Sequence, residues 1–301
     1  MPASQCLLKI VQRYINDQNN WAVNMKCLIV IHRCLQDKDL ATVIAKELKP
    51  KAHILTPYQP KKDHDSKINQ RLVTLLSQQY VDYLQRMLKF ISKTSLLSKK
   101  VSEAPKYVKK LNTSDIFLVY EEFDKFITII FQVFENKEIC RKSRLYQNFI
   151  YMMFLDLIKI YNVFYIMVTE ILDRFKRMNM RDMERAYEIY KAFLGFTENV
   201  KREANSIPLV FGFVFKNPSY YTPDPKLEKT LQRCMQSKEM GGGEDFDDAD
   251  FGMGDDFEAE DVYENRGFEQ GGDSDDEEDD DIGGIDILGD VKQAEQFATH
   301  S

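Results

Sequence analysis

The sequence predicts an all-α protein that ends in an acidic tail. From Ser4 to about Asn205, apolar residues recur at intervals of three and four, the spacing of one helix face, and few stretches alternate as strands do. The chain has 301 residues, of which 44% are apolar and 30% charged. This length and composition allow a buried core and exclude a collagen-like or wholly disordered chain.

The N-terminal third predicts three helices and a loop. Residues 5–16 have an apolar face, the polar run DQNN interrupts it, and Trp21 opens a second helix to about Leu35, so we expect an antiparallel pair. A short helix over 40–48 stops at Pro50. Pro57 and Pro60 then predict a loop.

The middle of the chain predicts longer helices. Residues 66–92 form an apolar ladder of about seven turns, which suggests a central element. Asn112 to Asp115 are candidate N-cap residues for a helix over 116–134. A further helix over 141–176 is expected to bend or break near Asp156 or Asn162.

The last helix of the body begins after Asn179 and continues through Val200, and Pro208 is expected to end regular structure. A short helix over 226–240 can pack back on the body. Three glycines at 241–243 mark the boundary of the tail.

Residues 149–168 are long and apolar enough to raise the question of a membrane span. They contain Asp156 and Lys159, which are costly at a bilayer centre and lie three residues apart, where they can share one wet stripe. We therefore predict a helix that is buried on most sides in a soluble bundle.

The polar residues do not predict catalysis or a metal site. Five cysteines without a CxxC pair or a signal peptide indicate reduced thiols in the cytosol, and four scattered histidines do not predict zinc, so no cofactor is expected. Phosphate-binding, hydrolase and kinase motifs are missing from the sequence, which argues against an enzyme. Asp156 or Asp173 could have a perturbed pKa, but without a base or metal partner each is interpreted as a structural group.

The formal charge of −7 hides two halves of opposite sign. Residues 241–301 contain 23 acidic and two basic residues, a net of −21, which leaves +14 for residues 1–240. The acidic density and isolated apolar residues of the tail predict disorder. The tail could also fold back on the basic body and compete with anionic membranes.

Three segments of the chain carry a resemblance to a known family. The first is NWAVNMKCLIVIHRCLQD, residues 20–37, in which Trp21 opens a helix that also contains Lys26, Leu28, Ile29 and His32. The others are YVDYLQRMLKF (80–90) and DRFKRMNMRDMERAYEIYKAFLGFTENVKREANSIP (173–208). In this order they resemble three helices of ANTH domains, the α-solenoid lipid-binding domains of CALM-type clathrin adaptors. The resemblance covers about residues 4–215 and implies a right-handed helical solenoid or bundle, with a linker and short helix over 216–240 and the tail over 241–301.

The start of the chain departs from this family. The resemblance implies a lysine-rich phosphoinositide signature several tens of residues before the Trp helix, and nothing in the 20 residues before Trp21 matches it. We expect that the first helices are lost or lie outside this sequence, so no lipid ligand is transferred from the family to a residue here.

Two basic clusters remain as candidates for an anionic membrane surface: Lys61, Lys62 and Lys67, and Lys99, Lys100, Lys106, Lys109 and Lys110. A solvated basic rim is the alternative, and no motif supports nucleic acid.

The tail contains candidate docking motifs. IDILGD, with Ile285, Asp286, Ile287 and Leu288, is similar to the clathrin-binding motifs of this family, although Ile287 replaces the usual Leu. Phe246, Phe251 and Phe257 resemble acidic phenylalanine motifs that bind adaptor appendage domains, without matching any of them fully. Ser274 precedes four acidic residues, a context for an acidophilic kinase.

Together these observations predict an endocytic adaptor that links a phosphoinositide membrane or cargo to clathrin coats. The resemblance implies a cytoplasmic protein, peripheral to the plasma membrane or to endosomal clathrin-coated pits and vesicles. It also implies a possible SNARE-helix site near Tyr187, Tyr190 and Phe193, for which core packing is the alternative. A helical scaffold or cargo-binding protein that does not need lipid is the competing function.

Overall fold

A computed structural model describes residues 20–59, 70–94, 96–141, 143–212 and 218–239, together with positions 9, 11 and 13–15. These residues contain nine α-helices and no strand, as an all-α fold predicts. The helices are α1 Trp21–Gln36, α2 Ala41–Leu48, α3 Gln70–Lys93, α4 Ala104–Val108, α5 Thr113–Phe134, α6 Lys137–Cys140, α7 Arg144–Arg174, α8 Met180–Phe211 and α9 Pro225–Glu239. Short 3-10 turns cover Lys49–Ile54, Val101–Glu103 and Phe175–Arg177.

Asparagine side chains fix where three of the helices begin. Asn20 accepts hydrogen bonds from the backbone N–H groups of Ala22 and Val23, at 2.9 and 3.3 Å. Asn112 accepts from Asp115 N at 2.8 Å, which confirms it as an N-cap, and Asn179 caps α8 in the same way. Each cap satisfies a backbone donor that the helix itself leaves without a partner.

Successive helices pack side by side, and α7 lies at the centre of the fold. Helix α1 contacts α2, α3 and α7, and α3 also contacts α2 and α5. Helix α7 contacts α1, α4, α5, α6 and α8, and α9 packs on α8. Because it has neighbours on so many sides, α7 buries apolar side chains around most of its circumference.

Helix α7 is the single helix in the described part of the chain that is long and apolar enough to cross a membrane. Most of its apolar stretch is buried within the protein, as expected for a core helix. It is one continuous helix from Arg144 to Arg174. The bend or break that the sequence predicted near Asp156 or Asn162 is therefore not found.

The wet stripe predicted for this helix is wrong, because Asp156 and Lys159 are buried at 3% and 4% exposure. Asp156 has partners on two other helices. Its carboxylate lies 2.5 Å from His32 Nε2 and accepts hydrogen bonds from the Tyr83 hydroxyl at 2.6 Å and Gln36 Nε2 at 2.9 Å. The Tyr80 hydroxyl lies 3.0 Å from His32 Nδ1. This buried polar network of His32, Gln36, Tyr80, Tyr83 and Asp156 joins α1, α3 and α7.

Helix α8 continues through Pro208 to Phe211, so the expectation that Pro208 ends regular structure is wrong. Pro208 lies in the last turn, where its missing N–H removes one bond from the end of the ladder. The neighbouring Ala204 and Ile207 are buried and hold this turn on the core. The helix ends at Gly212, whose positive φ of 70° is a left-handed conformation that glycine adopts without strain.

Four cysteines lie in the described residues, and all are free thiols. Cys27, Cys140 and Cys234 are buried and Cys34 is half-buried. Burial raises the pKa of Cys27 to about 11 and that of Cys140 to about 12. These thiols therefore behave as small apolar core groups.

Candidate functional site

The lysine cluster from Lys99 to Lys110 lies on the surface, over a short segment anchored by buried apolar residues. Lys106, Lys109 and Lys110 are exposed, and Lys99 and Lys100 are half-buried. The segment is held on the core by Leu96, Leu97, Val101, Ala104 and Val108. Because these apolar side chains face inward, Lys106, Lys109 and Lys110 are turned to solvent. Lys99 lies over the Tyr107 ring, with its Nζ 5.5 Å from the ring centroid.

Arg174, at the end of α7, holds the turn that follows α4. Its guanidinium donates to the backbone carbonyls of Leu111 and Lys109, at 2.7 and 3.2 Å. The same group forms an ion pair with Glu170, one turn earlier on α7, at 2.6 Å. Charged donors make stronger hydrogen bonds than neutral ones, so this arginine fixes Lys109 and Lys110 beside the end of α7.

Further cations reach the same end of α7 from α9. Lys238 Nζ donates to the carbonyl oxygen of Lys176 at 3.3 Å and also to that of Met178. Burial raises the pKa of the Cys234 thiol, while the positive charges of Lys176 and Lys238 oppose that rise. The ends of α7 and α9 therefore place their basic residues together.

We define the basic surface as Lys106, Lys109, Lys110, Lys176, Arg177 and Lys238. The three segments that form it, residues 99–111, 170–178 and 234–239, contain nine basic and four acidic residues, a net of +5. One of the four acids, Glu170, is paired with Arg174. The arrangement can bind an anionic surface or polyanion by charge.

The contributions of Lys176, Arg177 and Lys238 were not predicted, because these residues lie more than 60 positions from Lys110 or Lys109 along the chain. A signal was present in the sequence, since the pair Lys176–Arg177 ends a long helix and Lys238 precedes the acidic tail. From the sequence alone, neither feature shows that the end of α7 and the end of α9 lie next to each other.

The other binding and docking residues that the sequence predicted lie outside the described residues. They are Lys61, Lys62 and Lys67 in the proline-rich loop, and Phe246, Phe251, Phe257, Ser274, Ile285, Asp286, Ile287 and Leu288 in the tail. They stay predictions from the sequence.

The face of α8 considered for a partner helix is covered by residues of the same chain. Tyr190 and Phe193 are buried, and Phe193 packs against Tyr161 and Tyr221 at ring-centroid distances of 5.7 and 5.9 Å. The Tyr187 hydroxyl donates to Glu228 on α9 at 2.9 Å. These contacts favour core packing for Tyr190 and Phe193, whereas Tyr187 is half-buried and bonds to α9.

Asp156, considered from the sequence as a possible perturbed carboxylate without a base, does have a basic partner in His32. Both side chains are buried, and the hydrogen-bond partners of the carboxylate, His32, Gln36 and Tyr83, belong to helices of the same fold. Burial, reinforced by the charge of Asp156, raises the pKa of Tyr80 well above its ordinary value, so its hydroxyl stays protonated. The structural interpretation of Asp156 therefore holds, with a different set of partners.

A family model for the ANTH domain matches residues 3–202 of this chain. Comparisons with curated proteins and with solved structures gave no match. The matched region contains the Trp helix, the buried polar network and the lysine cluster, and it extends over most of α8. Because the match covers well over half of the sequence, the chain belongs to the ANTH-domain family.

Proposed function

We propose that this protein is a peripheral membrane adaptor whose folded domain binds an anionic, phosphoinositide-containing membrane and whose tail recruits clathrin-coat components. ANTH domains point to a clathrin-adaptor and phosphoinositide-binding family, and such proteins are adaptors rather than enzymes. The proposed location is the cytoplasmic face of the plasma membrane or of endosomal clathrin-coated pits and vesicles.

The observation that carries this proposal is the basic surface. Three segments that carry six cationic residues meet at one end of α7, because Arg174 bonds to the turn that contains Lys109 and Lys238 bonds to the carbonyl oxygen of Lys176. An anionic leaflet attracts basic residues near it by about 1 kcal/mol each, within a Debye length. A cluster of this size supports binding that weakens as salt rises.

The tail supplies the proposed contacts to coat proteins. Phe246, Phe251 and Phe257 lie among acidic residues, as do Ile285 to Leu288. An apolar side chain between acids suits a hydrophobic pocket with a basic rim, which is the recognition mode we propose for clathrin and for adaptor appendage domains. Phosphorylation of Ser274 would add about −1.5 to −2 charge to this region.

A SNARE helix is a weaker candidate partner. The face of α8 that the family resemblance suggests for it is covered by Tyr221 and by α9. A partner helix on this face would have to replace α9.

The proposal is tested by co-sedimentation with vesicles at about 0.15 M salt. One vesicle contains a bisphosphorylated phosphoinositide and the other contains phosphatidylserine at matched surface charge. The test variant reverses three exposed charges, K109E/K110E/R177E, and the matched control reverses three exposed lysines on or just after α2, K46E/K49E/K51E.

We expect the unmodified chain to bind the phosphoinositide vesicle, and the test variant to bind at least about tenfold more weakly than the control. Equal loss in both variants would mean that the basic surface is not the binding site. No binding by the unmodified chain would instead favour the helical scaffold that does not need lipid.

A further inference from the structure

The basic surface lies where the acidic tail leaves the folded domain. Lys238 is the second-last residue of α9, and its ammonium group is bonded to the carbonyls of Lys176 and Met178. Glu239 is the last described residue, and the tail follows directly. The described chain therefore ends one residue after a lysine that contacts the backbone of Lys176 and Met178.

The part of the tail closest to this point has the complementary charge. Residues 244–261 contain ten acidic and no basic residues. Their first carboxylate, Glu244, comes five residues after Glu239, a tether that spans at most about 17 Å when extended. This acidic segment can therefore reach the basic surface without crossing the rest of the domain.

We propose that residues 244–261 dock on the basic surface of their own chain and close it to other polyanions. The tether makes the contact intramolecular, and a short linker of this kind gives an effective concentration in the millimolar range. Many weak ion pairs form together, so the docked state is favoured at low salt and is lost as ionic strength rises. The tail needs no defined conformation to dock, because the acidic segment and the basic surface attract each other through their opposite net charges.

Docking has a consequence for the tail's aromatic residues. Phe246, Phe251 and Phe257 all lie within the acidic segment, so the docked tail holds these three candidate coat contacts against the domain. An anionic membrane that displaces the tail would release them at the same moment. This consequence rests on the proposed adaptor function, whereas the docking itself does not.

Zero-length crosslinking of the full chain tests the docking directly. A water-soluble carbodiimide joins a carboxylate to a nearby lysine amine, and mass spectrometry identifies the pairs. The measured quantity is the yield from carboxylates of 244–261 to Lys109, Lys110, Lys176 and Lys238, compared with the yield to Lys46, Lys49 and Lys51. Dilution of the protein separates contacts within a chain from contacts between chains.

We expect yields to the four lysines of the basic surface at least tenfold above those to the α2-region lysines at 20 mM salt, and a loss of most of that excess at 0.5 M salt. A second variant neutralises the first acids of the segment, E244Q/D245N/D247N/D248N/D250N. In it, crosslinks from the remaining carboxylates at 255–261 should fall severalfold.

A tail that is merely tethered near α9 would give yields that neither salt nor the neutral variant changes, and that result would overturn the docking. The assay contains no lipid. If the crosslinking experiment contradicts the docking, the membrane proposal is still decided by the vesicle experiment. If the chain does not bind vesicles, the crosslinking result still stands.

Discussion

The middle and the C-terminal end of α7 both contain charged residues but use them in opposite ways. In the middle, Asp156 is buried and accepts hydrogen bonds from α1 and α3. At the end, Arg174 binds backbone carbonyls of the neighbouring turn, and the exposed Arg177 follows it. The same helix therefore buries two charged residues, Asp156 and Lys159, in its middle and places others at its surface end.

The difference shows how surroundings decide the role of a charged residue. A buried carboxylate is tolerated because three neighbours satisfy it, and it contributes to the fold by joining distant helices. Exposed cations near the helix end, such as Arg177, keep their water and face a favourable helix dipole, so they can attract external anions. Changes in the first group should alter stability, and changes in the second should alter binding.

The largest expected effect is that of removing the buried carboxylate. Asp156→Ala leaves His32, Gln36 and Tyr83 without their shared acceptor inside the core. We expect the free energy of unfolding to fall by about 3–5 kcal/mol, measured by urea denaturation. The control is Glu184→Ala, an exposed carboxylate on α8 that should change stability by less than about 0.5 kcal/mol. Similar effects of the two substitutions would contradict the distinction between the regions.

Alkaline pH should weaken the interior next. Burial raises the pKa of Cys27 to about 11 and that of Cys140 to about 12, from an ordinary value of 9.0. Above pH 9 the unfolded chain therefore loses thiol protons that the folded chain keeps, so the free energy of unfolding falls as pH rises.

Between pH 8 and 9.5 we expect a loss of about 2 kcal/mol, measured by urea denaturation at several pH values. Buried tyrosines such as Tyr80 should add to the loss above pH 10. The variant C27A/C140A should flatten the slope below pH 10 whatever its absolute stability. An unchanged slope would mean that these thiols do not cause the dependence.

The smallest effect is expected at the surface end of α7. Arg174→Ala removes the two hydrogen bonds to the turn after α4 and should cost about 1–2 kcal/mol. Hydrogen exchange of amides 108–112 should accelerate about tenfold, because the turn loses its support. Arg181→Ala, an exposed arginine on α8, is the control. Unchanged exchange at 108–112 would show that Arg174 does not hold this turn.

Helix positions were predictable from sequence where they depend on local chemistry. The Trp helix, the short helix before Pro50 and the cap at Asn112 all follow from apolar spacing and asparagine chemistry. The local rules failed at Asp156 and Pro208. At Asp156 neighbouring helices supply the polar partners that water was expected to supply, and at Pro208 the buried Ala204 and Ile207 hold the last turn on the core.

The candidate site was predictable in part for a related reason. Lys99 to Lys110 are consecutive enough in sequence to stand out as a cluster. Lys176, Arg177 and Lys238 join them only through the packing of α7 and α9, which a linear pattern does not contain. Likewise, nothing near His32 in the sequence identifies Asp156 as its partner.

The pairing of His32 with Asp156 also determines how early the core can form during translation. The two residues are 124 positions apart. At about 5–20 residues per second, the ribosome needs roughly 6–25 s to add Asp156 after His32. During that interval α1 and α3 exist without the carboxylate that their polar side chains share. The N-terminal half therefore completes its core only after α7 has been made, and nascent chains that stop before Asp156 are expected to be substrates for chaperones or proteases.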